Sequence, residues 1–186
     1  MYSFRNDYSE GAHPKVLQAL ADTNLRQTVG YGMDPCCQAA ADTIRRLCAA
    51  PDAAVHFLVG GTQVNLVTID AFLQSYEAVV AAQTGHVSTH ETGAIEATGH
   101  KVCTVESPDG KLTPALVESV LAGHNGTEHM VLPRMVYISD TTEIGTVYTR
   151  AELAALRQCC DVHGLFLYLD GARLGSALTS PDNDLT

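Results

Sequence analysis

The chain has 186 residues, 46% of them hydrophobic, and 11 basic against 21 acidic side chains give it a net charge of −10. That length and apolar share suffice for one domain with a sizeable core, and the acidic balance argues against nucleic acid or an anionic membrane as a partner. No long apolar run is present, and the opening Met1 to Asp7 lacks the basic and apolar regions of a signal peptide.

The cysteines fall as Cys36-Cys37, Cys48, Cys103 and Cys159-Cys160. Adjacent pairs and singletons match neither a Cys-x-x-Cys zinc site nor a small disulfide scaffold, which predicts a reducing, cytoplasmic setting.

Residues 1–12 read as a polar N-terminal arm without periodicity. Val16, Leu17, Leu20 and Ala21 then recur at helical spacing, with Pro14 acceptable in the first turn. Gly30-Tyr31-Gly32-Met33-Asp34 is a loop into a helix over about 35–48, with Asp34 as its N-cap. The apolar run 54–59 predicts a buried strand running into Gly60-Gly61-Thr62 and a helix over about 63–73. Glycines that let backbone approach closely, with first-turn N–H groups and a helix dipole behind them, suit an anion. The same residues also make an ordinary turn and N-cap. This is not a P-loop, because no Gly-Lys-Ser/Thr follows.

A strand over 76–82 leads to Thr84-Gly85-His86-Val87-Ser88-Thr89-His90-Glu91. His-x-x-x-His-Glu could present metal ligands on one helical face, but the His-Glu-x-x-His pattern is absent. Solvated loop histidines are the plainer reading. A shorter strand follows over 101–105, then a helix capped by Thr113 with Pro114 at its first position. Asn125-Gly126-Thr127 matches a glycosylation sequon, which has no meaning in a cytosolic protein. Another strand, 134–139, ends in Asp140-Thr141-Thr142-Glu143-Ile144-Gly145-Thr146, and a helix over 150–163 closes the round. Glu143 is either a carboxylate at a pocket rim or a base whose pKa burial has raised. This alternation, at least five rounds, predicts an α/β fold: a three-layer αβα sandwich around a mostly parallel sheet.

The stretch with most chemistry is Leu165 to Gly175. An apolar strand, expected to be buried on both faces, ends in Asp170, followed by Gly171 and, one turn on, Arg173. Open parallel sheets place their ligands at that carboxyl end. A carboxylate leaving a buried strand needs a partner, and a protonated pyridine nitrogen would serve. Arg173 could grip a substrate carboxylate as a planar two-pronged donor.

Asp170-Gly171-Ala172-Arg173, together with Phe4-Arg5-Asn6-Asp7, Tyr31-Gly32-Met33-Asp34, Gly60-Gly61-Thr62-Gln63-Val64-Asn65, His86 with His90-Glu91, and Thr142-Glu143-Ile144-Gly145-Thr146, resembles the threonine aldolases. These belong to the fold type I enzymes that use pyridoxal 5'-phosphate, and the resemblance covers nearly the whole chain. It implies that Asp170 binds the pyridinium nitrogen, Gly61 and Thr62 the phosphate, and Arg173 the substrate carboxylate, while His86 stacks on the ring. It implies substrate-facing roles for Asn6, where the family usually has serine, and for Tyr31, which lines the active site of its own or of the neighbouring subunit. Many members carry His-Asn where Glu143-Ile144 stand, so the general base passes to His86 or Glu143.

The implied reaction is retro-aldol cleavage of a β-hydroxy amino acid to glycine and an aldehyde, in a homodimer or homotetramer. β-Elimination or transamination on the same scaffold is the alternative within the enzymes, and a metal-binding or structural module the alternative outside them. No metal ligand set is assigned. A lysine must carry the cofactor as a Schiff base, and the chain has only Lys15, Lys101 and Lys111. In the relatives that lysine follows the Asp-Gly-x-Arg segment by some tens of residues. The expectation is therefore an N-terminal portion, residues 13–186 being an incomplete cofactor-binding large domain that is inactive alone.

Overall fold

The computed structural model describes residues 3–124, 126–181 and 183–184. Residues 1 and 2 of the expected arm and Asn125 of the sequon lie outside them.

The chain divides into two units, the first running to Arg46 with Ala50–Phe57, the second comprising Leu47–Ala49 and everything from Leu58 on. The first unit holds helix α1 (Pro14–Thr23) and all of helix α2 (Pro35–Leu47) but its last residue. Asp34 caps α2 as expected, its Oδ1 accepting from the backbone N–H of Cys36 and Cys37 at 2.9 and 3.0 Å. Helix α1 buries none of its residues, and α2 buries only Ala41.

The second unit holds α3 (Gly61–Phe72), β1 (Glu77–Ala82), α4 (His86–Thr89), α5 (Ala94–Ala97), β2 (Lys101–Val105), α6 (Pro114–Gly123), β3 (Leu132–Ser139), α7 (Arg150–His163), β4 (Phe166–Asp170) and α8 (Leu174–Ala177). The four strands pair in the order β2-β1-β3-β4, every pair parallel. Because side chains alternate along a strand, β1 and β3 sort into two cores. Val80, Ala82, Val136 and Ile138 face Val117 of α6 and Leu156 and Cys160 of α7. Val79, Ala81, Met135 and Tyr137 face Ile69 of α3, Val87 of α4 and Ile95 of α5. Helices thus cover both faces, the three-layer arrangement the alternation predicted.

The longest helix is specified at both ends. Thr149 and Glu152 form a capping box on α7, and Gly164 ends it in the left-handed conformation. Thr113 caps α6 through the Leu116 N–H. No helix among the described residues is long and apolar enough to cross a membrane.

Two expectations are corrected. Residues 54–59 form no strand; a short apolar run does not specify its conformation, and a strand needs a neighbouring backbone to pair with, which this run lacks among the described residues. Nor is β4 buried on both faces: Phe166 is exposed and the rest only partly covered. Among the described residues it pairs with β3 alone, at one end of the strand order.

Candidate active site

The carboxyl ends of β1, β3 and β4 converge on one hydrogen-bonded network. Asp170, the last residue of β4, accepts on Oδ2 from the Tyr137 hydroxyl of β3 at 2.6 Å and from the Asn65 side-chain amide of α3 at 3.1 Å. Its Oδ1 accepts from the Ala172 N–H at 3.0 Å, which fixes the carboxylate at the turn after the strand. Asn65 is buried, and its other amide hydrogen goes to Glu91 Oε1 at 2.6 Å while its carbonyl oxygen accepts from Tyr168 at 2.5 Å. This assignment is forced: the flipped amide would set its oxygen against two carboxylates.

Glu91 is buried too and also accepts from His86 Nδ1 at 2.8 Å. A carboxylate accepts, so this bond takes the imidazole hydrogen on Nδ1 and leaves Nε2 outside it. The other oxygen, Glu91 Oε2, is buried without a partner.

His86 is delivered by Gly85 directly after β1. A Cβ at position 85 would stand 3.0 Å from the Ala82 carbonyl oxygen, so this tight exit requires glycine. The His86 backbone N–H donates to Glu143 Oε1 at 3.0 Å, and the Ser139 hydroxyl donates to the same oxygen at 2.6 Å. Glu143 is presented by a turn in which Thr142 and Thr146 hydrogen-bond each other and Gly145 takes a positive φ of 89°. His90 stacks on His86 with ring centroids 5.6 Å apart, and its Nδ1 meets Thr89 Oγ1. Glu91 turns to His86 and Asn65 instead, so this patch does not gather as a metal site among the described residues.

Gly61 and Thr62 open α3 one turn before Asn65, which puts the helix start on the same side as the network. No side chain caps this N-terminus, and nothing stands within 4 Å of a Cβ built at Gly60 or Gly61. Burial, reinforced by the bond to Asp170, pushes the Tyr137 hydroxyl pKa far up, and burial pushes Tyr168 up to about 12. Both are therefore un-ionised donors at neutral pH.

A model of the family of beta-eliminating lyases matches residues 4–185. The chain belongs to that family. It is 37% identical to a Pseudomonas low specificity L-threonine aldolase over 176 residues, 94% of this chain and 50% of the relative. A solved structure of Leishmania major threonine aldolase superposes with a TM-score of 0.96 at 57% identity, covering all of this chain and 54% of that one. The aspartate aminotransferase of Rhizobium meliloti shares the fold at 16% identity, with a TM-score of 0.65 over 87% of this chain and 41% of its own. The chain thus spans about half the length of the relatives it matches.

Of the residues singled out in the sequence, the structure joins His86, Glu143 and Asp170 through hydrogen bonds and sets Gly61 and Thr62 one turn from Asn65. Arg173 is the N-cap of α8, partly buried. Asn6 and Tyr31 lie in the first unit, Asn6 bonded to Tyr8 and Ser9, Tyr31 fully exposed with φ 63°. Sequence reasoning missed Asn65, Tyr137, Ser139 and Tyr168 and gave Glu91 no site role. The signal for Tyr137 and Tyr168 was a polar-tipped aromatic two residues before each of Ser139 and Asp170, hence on the same side of its strand.

Proposed function

We propose that this chain is the cofactor-binding portion of a pyridoxal-phosphate-dependent aldehyde-lyase that cleaves β-hydroxy amino acids to glycine and an aldehyde. One observation carries the reading: Asn65 ties an uncapped, glycine-opened helix start to Asp170 at the end of β4.

The residues fit pyridoxal phosphate by their own chemistry. The open space that a Cβ at Gly60 or Gly61 would fill is a cradle for phosphate against the α3 N–H groups. Asp170 has lone pairs left for a ring N–H and is held rigid by three donors. Bound there, the cofactor would supply a sink for the electron pair left at Cα when the Cα–Cβ bond breaks. Asp170 would keep the ring nitrogen protonated, and His86, held by Glu91, would lie over the ring. Arg173 would fix the substrate carboxylate. His86 Nε2 or Glu143 would take the β-hydroxyl proton, directly or through water.

None of the chain's three lysines serves as the anchor near Asp170. Lys101 starts β2 at the opposite edge of the sheet, and Lys111 is paired with Glu152. We assign that lysine to the half of the relatives' length this chain does not span, so the 186 residues alone bind cofactor without turning over. Residues 13–186 are then the incomplete large domain and 1–12 its arm, with Asn6 and Tyr31 facing substrate. Phe4, Leu25 and Tyr31 are almost fully exposed apolar surface that a second copy of the chain would cover. Six free cysteines favour a reducing compartment, the cytoplasm.

The test is product identity. The protein carrying this chain, given pyridoxal phosphate and L-threonine or L-allo-threonine, should release glycine and acetaldehyde. A 2-oxo acid would instead favour β-elimination or transamination, and failure to bind the cofactor would overturn the assignment.

A further inference from the structure

On the face of the sheet opposite Asn65 and His86, helices α6 and α7 pack side by side, and three side chains of unlike chemistry meet between them. Cys159 and His163 stand one turn apart on α7, and Glu118 faces them from α6. Cys159 Sγ, an imidazole nitrogen and a carboxylate oxygen all lie within 4.8 Å of one another. His163 Nε2 and Glu118 Oε1 are 3.7 Å apart. A four-coordinate zinc with bonds of about 2.0–2.3 Å spaces its ligands roughly 3.3–3.8 Å apart. One pair already has that spacing, and the third atom lies within 4.8 Å of both.

We propose that Cys159, His163 and Glu118 form a binding site for a zinc-like divalent metal ion, tying α6 to α7. The ligand chemistry selects the ion: thiolate and imidazole favour zinc and its neighbours over magnesium or calcium, which take oxygen. Cys159 is buried, while Glu118 and His163 are exposed around a shallow cavity of about 270 Å³. Water can therefore fill the fourth position. A bound dication stabilises the Cys159 thiolate. The S–H bond breaks and its proton goes to solvent, while the electron pair it leaves on sulfur forms the metal–sulfur bond, with no change of oxidation state.

The experiment uses cobalt(II) as the probe, titrated into the full chain freed of purification tags, with no pyridoxal phosphate present. One cobalt per chain should give the visible absorption of four-coordinate cobalt and a thiolate charge-transfer band in the near ultraviolet, and zinc should displace it. His163→Ala and Glu118→Gln, both at exposed positions, should each weaken cobalt binding by about tenfold or more. Cys159→Ser should remove the charge-transfer band, while Cys103→Ser and the double change Cys36→Ser, Cys37→Ser leave it intact. Absence of the bands overturns the site, as does a spectrum indifferent to His163→Ala and Glu118→Gln or one lost with Cys36 and Cys37. The two exposed variants decide the matter even if Cys159→Ser does not fold.

Discussion

Asn65 and Asp170 lie 105 residues apart in the chain, and the side-chain amide of one donates to the carboxylate of the other at 3.1 Å. The same amide serves Glu91 with its second hydrogen, so one buried residue sets the spacing of two carboxylates. An acidic side chain there would repel both, and an apolar one would leave both short of a donor.

Asn65→Ala is therefore expected to destabilise the chain by about 2–3 kcal/mol, the range for stranding buried polar groups, and Asn65→Asp by more. Urea unfolding monitored by circular dichroism measures both. A loss under about 0.5 kcal/mol in the alanine variant would show that the amide holds nothing in place.

Gly61→Ala separates fold from ligand. The added methyl meets nothing within 4 Å and the residue begins a helix, so stability should hold or rise by up to about 0.5 kcal/mol. Affinity for pyridoxal phosphate, followed by its absorbance or by equilibrium dialysis, should fall about tenfold or more, because the methyl enters the phosphate cradle. Unchanged affinity would move the phosphate elsewhere.

Tyr137→Phe keeps the ring in the core and removes the hydroxyl that holds Asp170 at 2.6 Å, at an expected cost of about 1–2 kcal/mol. Wild-type stability should also fall in alkali. Burial is the largest cause in raising Tyr137 and Tyr148 and in taking Tyr168 to about 12 and Cys160 to about 11. The folded chain thus keeps protons that the unfolded chain sheds between about pH 8.5 and 10. The unfolded state binds fewer protons from there upward, so stability is full at neutral pH and declines as pH rises from about 8.5 towards the folded values, about 11 for Cys160 and about 12 for Tyr168. Urea midpoints at pH 7.5 and 10.5 test the sign, and Tyr137→Phe should fall less steeply than wild type.

Leu156 is fully buried where α7 meets the sheet. Leu156→Ala should cost about 2–5 kcal/mol, read as a lowered thermal midpoint.

The sequence by itself determined the elements that carry their own signals. Pro14, Asp34, Thr113 and the Thr149–Glu152 pair start helices through local chemistry, and β1 and β3 are apolar runs bounded by turns, so their limits were readable within a residue or two. Asp170, His86, Glu143, Gly61 and Thr62 were readable because a motif is a local string. Tertiary structure alone decided what depends on neighbours. The run 54–59 is apolar enough for a strand, but pairing, not composition, makes one, and the part-exposure of β4 depends on what packs over its two faces among the described residues. Asn65 was hidden for a related reason. Within α3 it looks like one polar residue in an apolar helix, and its role exists only where β4 and the segment after α4 bring Asp170 and Glu91 to its two amide hydrogens. Hydrogen bonds across such separations are set by packing, which no local pattern encodes.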